Sequence, residues 1–174
     1  MRAQAALVVG LGRPDRGDDA VGTEVTRAVA ALALPQVEVV EHEDPTDLIE
    51  LWAGRDPVVV VDAVCSDAAP GTVHVLETGA GRDPLAPSAW ARTGRGGTHA
   101  FGLAAAIELA RVLRRLPEHL VLVGIEAEAF EHGASPSPAV AAGVPAAVRA
   151  VVDAVQVSPA AAAVAEMGSA HVSG

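Results

Sequence analysis

The chain has 174 residues, a formal net charge of −10 and a single cysteine. This length suits one domain with a real core, and the negative charge excludes phosphate backbones and anionic lipids as partners. All twelve basic residues are arginines, which excludes chemistry that needs a lysine, such as a Walker motif or a Schiff base.

The same features indicate where the protein works. One cysteine cannot form an intramolecular disulfide, which is typical of a reducing compartment. The N-terminal apolar run ends at Gly10, too early for a signal peptide. No continuous apolar run approaches the roughly 18 residues of a membrane span, so we expect a soluble, cytoplasmic protein.

The first half of the chain predicts strands that alternate with helices. The first and third strands are continuous apolar runs, typical of strands buried on both faces. The second is rich in β-forming residues, and the helices show apolar residues at helical spacing. Asp62 interrupts the third strand after four consecutive valines. In chain order the predicted elements are a strand over residues 5–9, a helix over 19–32, a strand over 37–41, a short helix from Pro45, and a strand over 57–64.

The second half begins with a tight turn and a strand over residues 72–76, which we expect to run antiparallel to the strand before it. Residues 78–98 contain too many glycines and prolines for a regular element, so they predict a long loop. A helix over 99–115, a strand over 119–125 and a helix over 138–155 follow. The last helix has Ser137 as its N-cap and Pro138 in its first turn.

This order of elements predicts an α/β fold with three layers. We expect a doubly wound, mostly parallel five-stranded sheet with one antiparallel strand and helices on both faces. Residues 1–157 form a single domain in this interpretation. The low-complexity residues 158–174 are predicted to be a disordered tail.

Ligands of such sheets bind beyond the carboxyl ends of the strands. Asp19 follows the first strand, Glu41 ends the second, Asp62 lies in the third, and His99 closes the long loop and opens a helix. Two carboxylates and an imidazole from three separate segments could bind a borderline divalent metal and leave positions open for water or substrate.

Each of these residues also has an ordinary structural interpretation. Asp18 and Asp19 could cap the first helix, Asp62 could bond a neighbouring loop, and His99 could simply begin a helix. Cys65 is expected to be a small buried apolar residue, because nothing in the sequence shows a base that would activate it. The other histidines are interpreted as structural or solvated: His42, His74, His119, His132 and His171.

Four motifs, taken in order, resemble the maturation proteases of nickel-iron hydrogenases. They are GLGRPDRGDDAVG after the first strand, VVVVDAV in the third, GTHAFGL at the later helix and SPAV before the last helix. The resemblance covers about residues 5–155. It implies an endopeptidase that removes a C-terminal peptide from the hydrogenase large-subunit precursor after nickel insertion, and a fold with a twisted sheet between helices.

The resemblance also implies roles for individual residues. By position, the nickel-contacting residues are Asp19, Asp62 and His99, and the nickel is supplied by the substrate rather than bound at rest. The nucleophile is not assigned. The same three residues are catalytic candidates, and Glu41 is a weaker one because the segment EHEDPT lacks the family's acidic-Gly-Gly pattern. Glu41 or Glu126 could assist a water, while the nickel could act in hydrolysis or in recognition alone.

Two other functions remain open from the residues themselves. The Gly10-Leu11-Gly12 turn is compatible with a nucleotide-binding Rossmann-like module in which Glu41 holds a ribose, although Asp15 stands where a third glycine is expected. A non-catalytic chaperone that docks a metalloenzyme subunit through residues 92–97 is the other alternative.

Overall fold

The computed structural model describes residues 5–84 and 99–156, with only the backbone of residues 99–101. Two short 3-10 turns, Gly17–Ala20 and Pro45–Asp47, lead into the first two helices. The predicted tail and most of the predicted long loop lie outside the described residues. In chain order the strands and helices are β1 Ala6–Leu11, α1 Val21–Ala31, β2 Val37–His42, α2 Leu48–Leu51, β3 Val58–Val64, β4 Val73–Thr78, α3 His99–Val112, β5 Leu120–Glu126 and α4 Pro138–Gln156.

The five described strands form one sheet in the order β2-β1-β3-β5-β4. The pairs β1–β2, β1–β3 and β3–β5 are parallel, and β4 pairs antiparallel with β5. This confirms the predicted mostly parallel sheet with one antiparallel strand. The carboxyl ends of four strands therefore meet at one edge.

The place of β4 in the sheet does not follow the order of the strands in the chain. Its direction was predicted correctly, but it pairs with β5 and not with β3, the strand that precedes it in the chain. The reason is burial, since all seven residues of β5 are buried while β4 is mostly half-buried or exposed. The more apolar strand takes the central place beside β3, and β4 becomes the edge.

Helices cover both faces of the sheet and divide the core into two layers. Val8, Val59 and Val61 pack with α1 and α4 on one face, while Val58 and Val60 pack with α2 and α3 on the other. Because side chains alternate along a strand, the position of Asp62 in β3 places its side chain on the α2 and α3 face. Strand β3 thus carries one ionisable side chain, that of Asp62, into an apolar layer.

The last helix, α4, is long and apolar enough to span a membrane by length and composition alone, with a mean hydropathy of 1.5. The core helix of a soluble protein meets the same criterion. One face of α4 packs on the sheet at helical spacing through Val140, Gly143, Ala147, Val151 and Val155. Its N-cap was predicted correctly, because the Val140 N–H donates to Ser137 Oγ at 3.4 Å.

Candidate active site

The loop after β1 turns sharply at the carboxyl edge of the sheet. Gly12 has a φ of 129°, and a Cβ there would lie 1.9 Å from the Asp19 carbonyl oxygen. The Gly12 N–H donates to the His42 carbonyl at 3.1 Å, and the Arg13 N–H donates to Asp19 Oδ2 at 3.1 Å. Only a glycine lets the loop fold back so closely, and the result holds Asp19 beside the end of β1.

Asp62 is completely buried at the same edge. Its Oδ1 accepts the N–H of Ala63 at 2.9 Å, whereas its buried Oδ2 has no hydrogen-bond partner in the described part of the chain. Burial and, to a lesser degree, the negative charge of Asp19 raise the pKa of Asp62 to about 8. The carboxyl group therefore keeps its proton at neutral pH. One interpretation of the sequence was that Asp62 bonds a neighbouring loop, and no such bond is formed among the described residues.

Asp19 is the electrostatic neighbour of Asp62. It is 4% exposed, and its charge acts on the Asp62 carboxyl group strongly enough to raise that pKa. A buried carboxyl group beside another negative charge resists ionisation unless a cation lies close to it, which applies to Asp62. The structure thus brings together two of the three predicted ligands.

The third predicted ligand, His99, is described only through its backbone. It is the first residue of α3, on the face of the sheet that Asp62 enters. The first turn of α3 lies against the turn after β2, since a Cβ on Gly102 would be 3.2 Å from Pro45 Cγ. Among the described side chains no group of three or more His, Cys, Asp or Glu residues could hold a metal ion, and the His99 side chain is not among them. Its role as a ligand stays a prediction.

Glu41, the weaker catalytic candidate, lies at the same edge and forms an ion pair with Arg27. It lies beside Gly10 in the parallel register of β1 and β2. Its two oxygens accept hydrogen bonds from Arg27 Nε at 2.8 Å and Arg27 Nη2 at 3.1 Å on the exposed surface. A role for Glu41 in activating water therefore requires that Arg27 first be displaced, and that role stays a prediction.

An open cleft of about 330 Å³ lies between the β1 loop and the end of β2. Four carboxylates line this part of the edge, and two of them are paired with arginines, Glu41 with Arg27 and Glu43 with Arg13. The remaining excess of negative charge favours a cationic or metal-bearing substrate. The lining residues are Gly12, Pro14, Thr23, Glu41, His42, Glu43, Asp44 and Asp47.

Glu126 at the end of β5 is already engaged. It is 3% exposed, and its carboxylate accepts the N–H of Ser66 and, at 2.7 Å, the Ser66 hydroxyl. His74 Nε2 lies 3.2 Å from the same carboxylate. Glu126 thus holds the turn after β3, which does not favour the predicted role in assisting a water. No local pattern in the sequence predicts this cluster, because Ser66 and His74 lie 60 and 52 positions from Glu126 in the chain.

Asp18 does not cap the first helix, contrary to one interpretation of the sequence. It is completely buried, and neither the 3-10 turn nor α1 has a side-chain cap. Burial by itself would raise the pKa of Asp18, but hydrogen bonds from the N–H groups of Glu128, Ser137 and Ala129 lower it below the usual value. Asp18 is therefore an anion held by distant backbone.

Cys65 was expected to be a small buried apolar residue. Cys65 is half-buried instead of fully buried, and burial together with nearby carboxylates raises the pKa of its thiol. It is therefore a weak nucleophile at neutral pH.

Four of the histidines have acidic partners, as expected for structural residues, and His171 lies outside the described residues. The pairs are His42 with Asp47, His74 with Glu126, His119 with Asp56 and His132 with Asp15.

Comparison with known protein families identifies the family of this chain. The sequence model of the hydrogenase maturation proteases matches residues 34–154, which is more than half of the chain. The chain belongs to the hydrogenase maturation protease family. The resemblance predicted from the four motifs is thereby confirmed.

Solved structures of other proteins agree with this assignment. The chain is similar to the hydrogenase maturating endopeptidase HybD from Escherichia coli, with 28% identity, a TM-score of 0.71, and coverage of 87% of this chain and 92% of that one. An endopeptidase from E. coli solved in solution gives 27% identity and a TM-score of 0.74 over the same shares, 87% and 92%. The NiFe hydrogenase maturation protease HybD from Thermococcus kodakarensis shares the fold, with 23% identity, a TM-score of 0.62, and coverage of 86% and 97%. No curated protein matches the sequence.

As a hydrogenase maturation protease, the chain is a peptidase whose substrates are hydrogenase precursors. The nucleotide-binding alternative loses support for an independent reason. The place beyond β1 where a Rossmann-like domain holds a pyrophosphate is taken by the buried carboxyl groups of Asp18 and Asp19, which would repel an anion. The loop proposed for the chaperone alternative, residues 92–97, lies outside the described residues.

Proposed function

We propose that this hydrogenase maturation protease removes the C-terminal extension of a nickel-iron hydrogenase large-subunit precursor once nickel has been inserted. In this proposal Asp19, Asp62 and His99 bind and thereby recognise the nickel, which belongs to the substrate. In this proposal the protein acts in the cytoplasm.

The observation that carries the proposal is the buried Asp62 Oδ2, which lacks a hydrogen-bond partner among the described residues. A buried carboxyl group without full hydrogen bonding costs free energy, and the charge of Asp19 adds to that cost. A divalent cation would offset both terms, because it attracts the two carboxylates at once. Carboxylate oxygen and imidazole nitrogen are also ligands that a borderline metal such as nickel accepts.

Such a site can distinguish a nickel-loaded precursor from an empty one. Without nickel, Asp62 keeps its proton, since its pKa is raised to about 8, and its neutral carboxyl group attracts a substrate only weakly. Nickel in the precursor would displace this proton and make a bond to each carboxylate. Much of the binding free energy would then depend on the metal, so cleavage would follow nickel insertion.

Cleavage itself requires that a water add to the peptide carbonyl carbon. The water's hydroxide becomes part of the new carboxylate, and its proton goes to the amine that leaves when the C–N bond breaks. Glu41 is the candidate that assists this water, since it lies at the same edge of the sheet. Displacement of Arg27 from Glu41 by the substrate is a necessary step.

The proposal is tested by mixing the protein with a nickel-loaded large-subunit precursor and weighing the large subunit by intact mass spectrometry. We expect the wild type to remove a C-terminal peptide. Asp62→Asn and His99→Ala should leave the precursor full length, and the matched control Asp153→Asn, on the exposed surface of α4, should cut normally. A full-length product with the wild type would refute the protease activity on this substrate. Equal trimming of nickel-free precursor would refute the proposal that the protein recognises nickel in its substrate.

The role of Glu41 has its own matched control. Glu41→Gln should slow trimming without weakening precursor binding, because a general base acts on the chemical step. Glu38→Gln removes a carboxylate from the same strand that pairs with another arginine, Arg55, and should have no effect on the rate. If the two variants behave alike, Glu41 does not assist the water.

A further inference from the structure

The Asp18 carboxylate joins two distant parts of the chain at the candidate active site. It precedes Asp19 in the same 3-10 turn and is completely buried. Its Oδ2 accepts the N–H groups of Glu128 and Ala129, both at 2.9 Å. Its Oδ1 accepts the N–H of Ser137 at 2.6 Å, and the Ser137 hydroxyl donates to Oδ2 at 3.2 Å. All these donors belong to the loop between β5 and α4, which is residues 127–137.

Backbone hydrogen bonds join the same two segments. The Asp18 N–H donates to the Ala129 carbonyl at 2.7 Å, and the Gly17 N–H donates to the Ala134 carbonyl at 3.0 Å. At Gly17, which has a φ of 56°, a Cβ would lie 2.5 Å from the Ala129 oxygen. The turn that carries Asp19 is thus held against residues 127–137 by side chain and backbone together.

Residues 127–137 are in turn connected to the strand that carries Asp62. The Ala127 N–H donates to the Val64 carbonyl of β3 at 2.8 Å, and in the β3–β5 ladder Asp62 lies beside Gly124. A continuous series of hydrogen bonds therefore runs from β3 through residues 127–137 to Asp18. Asp19 is the next residue, so the separation of the two carboxyl groups depends on this series.

We propose that Asp18 is a positioning residue that sets the place of the Asp19 carboxylate relative to Asp62. The inference rests on the proposed function, in which Asp19 and Asp62 bind the nickel of the precursor. Only a carboxylate suits this position, because both of its oxygens accept hydrogen bonds. An asparagine would have to turn its NH₂ group toward N–H donors on one side. Groups that orient metal ligands typically change metal affinity by about 10–100-fold when they are replaced.

The test is a double-mutant cycle with Asp18→Asn and Asp19→Asn, measured by calorimetric titration with Ni²⁺ alone and by kcat/KM for trimming of nickel-loaded precursor. Asp18→Asn should weaken Ni²⁺ binding and lower kcat/KM about tenfold or more. In the Asp19→Asn background the same change should have little further effect, because Asp18 acts through Asp19. A loss of stability alone would not produce this dependence.

Asp56→Asn is the matched control. The Asp56 carboxylate also holds a distant backbone, since it accepts the His119 N–H at 2.7 Å and lies 2.9 Å from His119 Nδ1, but it precedes β3 at the opposite edge of the sheet. This variant should bind Ni²⁺ and trim precursor as the wild type does. If Asp18→Asn does not fold, Ser137→Ala removes the hydroxyl that donates to Asp18 and that also accepts the Val140 N–H as the N-cap of α4. This variant should shift both readouts in the same direction by a smaller factor, while Ser137→Thr, which keeps a hydroxyl, should not.

The outcomes separate this inference from the proposed function. If Asp19→Asn weakens Ni²⁺ binding and trimming while Asp18→Asn does not, Asp18 is not a positioning residue and the ligand assignment stands. An equal effect of Asp18→Asn with and without Asp19 would also overturn the inference. If Asp19→Asn itself changes neither readout, the nickel-reading proposal fails.

Discussion

Replacing Asp62 by asparagine should stabilise the protein, and by more as the pH rises. The pKa of Asp62 is raised from 3.8 to about 8 in the folded chain, chiefly by burial. When folding raises the pKa of an acid, the unfolded chain loses the proton first. The stability contribution of the protonated group is then complete below the unfolded pKa and is lost as the pH rises through the interval up to the folded pKa.

The expected magnitude follows from these two pKa values. Each pH unit between 3.8 and about 8 lowers the free energy of unfolding of the wild type by about 1.4 kcal/mol. At about pH 7 the buried carboxyl group therefore costs roughly 4 kcal/mol, on the order of a third of the stability of an ordinary domain. Asparagine has nearly the same shape and cannot ionise, so Asp62→Asn should have no such dependence.

The measurement is urea unfolding of the wild type and Asp62→Asn at about pH 4, 6 and 8, with a chelator present so that no divalent metal binds. The difference in unfolding free energy should be near zero at the lowest pH and several kcal/mol at the highest. Asp153→Asn removes an exposed carboxylate and serves as the control for the loss of one negative charge. An Asp62→Asn variant that is less stable than the wild type at about pH 8, or a difference that does not grow with pH, would refute the reasoning.

Three further predictions concern the same edge of the sheet. Asp19→Asn removes the charge that raises the pKa of Asp62, so the stability of this variant should depend less steeply on pH in the same urea experiments. Gly12→Ala should lower the free energy of unfolding by about 1–3 kcal/mol, since its φ is 129° and its Cβ would meet the Asp19 carbonyl; a wild-type urea midpoint would contradict this. Cys65 should react with iodoacetamide more slowly than free cysteine at neutral pH, because the pKa of its thiol is raised, and alkylation at the free rate would show that the thiol is neither shielded nor protonated.

The local patterns of the sequence were sufficient for the fold class. Continuous valine and leucine runs predicted buried parallel strands, and the structure has them at β1, β3 and β5. The same patterns placed Asp19, Glu41 and Asp62 at one edge, because parallel strands have their carboxyl ends on the same side. These patterns could not show which strand lies next to which. Strand β4 pairs with β5, and the more buried β5 takes the central place while the more exposed β4 forms the edge.

The detailed roles of the acidic residues depended on contacts between distant parts of the chain. The pattern Asp18-Asp19 at a helix start is typical of a cap, yet Asp18 binds donors 110 to 119 positions away. Likewise, Glu126 is a conspicuous carboxylate after a strand, but its oxygens are engaged by Ser66, 60 positions earlier. No local rule predicts such partners.

The sequence by itself therefore determined the α/β class, the family of this protease and the edge of the sheet where Asp19, Glu41 and Asp62 lie, because these follow from local periodicity, strand direction and short motifs. The tertiary structure alone decided which carboxyl groups are satisfied and which is not. Asp18 and Glu126 have donors that folding brings to them, whereas Asp62 is left buried with one oxygen lacking a partner among the described residues and a pKa of about 8. Hydrogen-bond partners and burial arise only when distant segments pack together, and they distinguish the carboxylates that hold the loops from the pair proposed to read nickel.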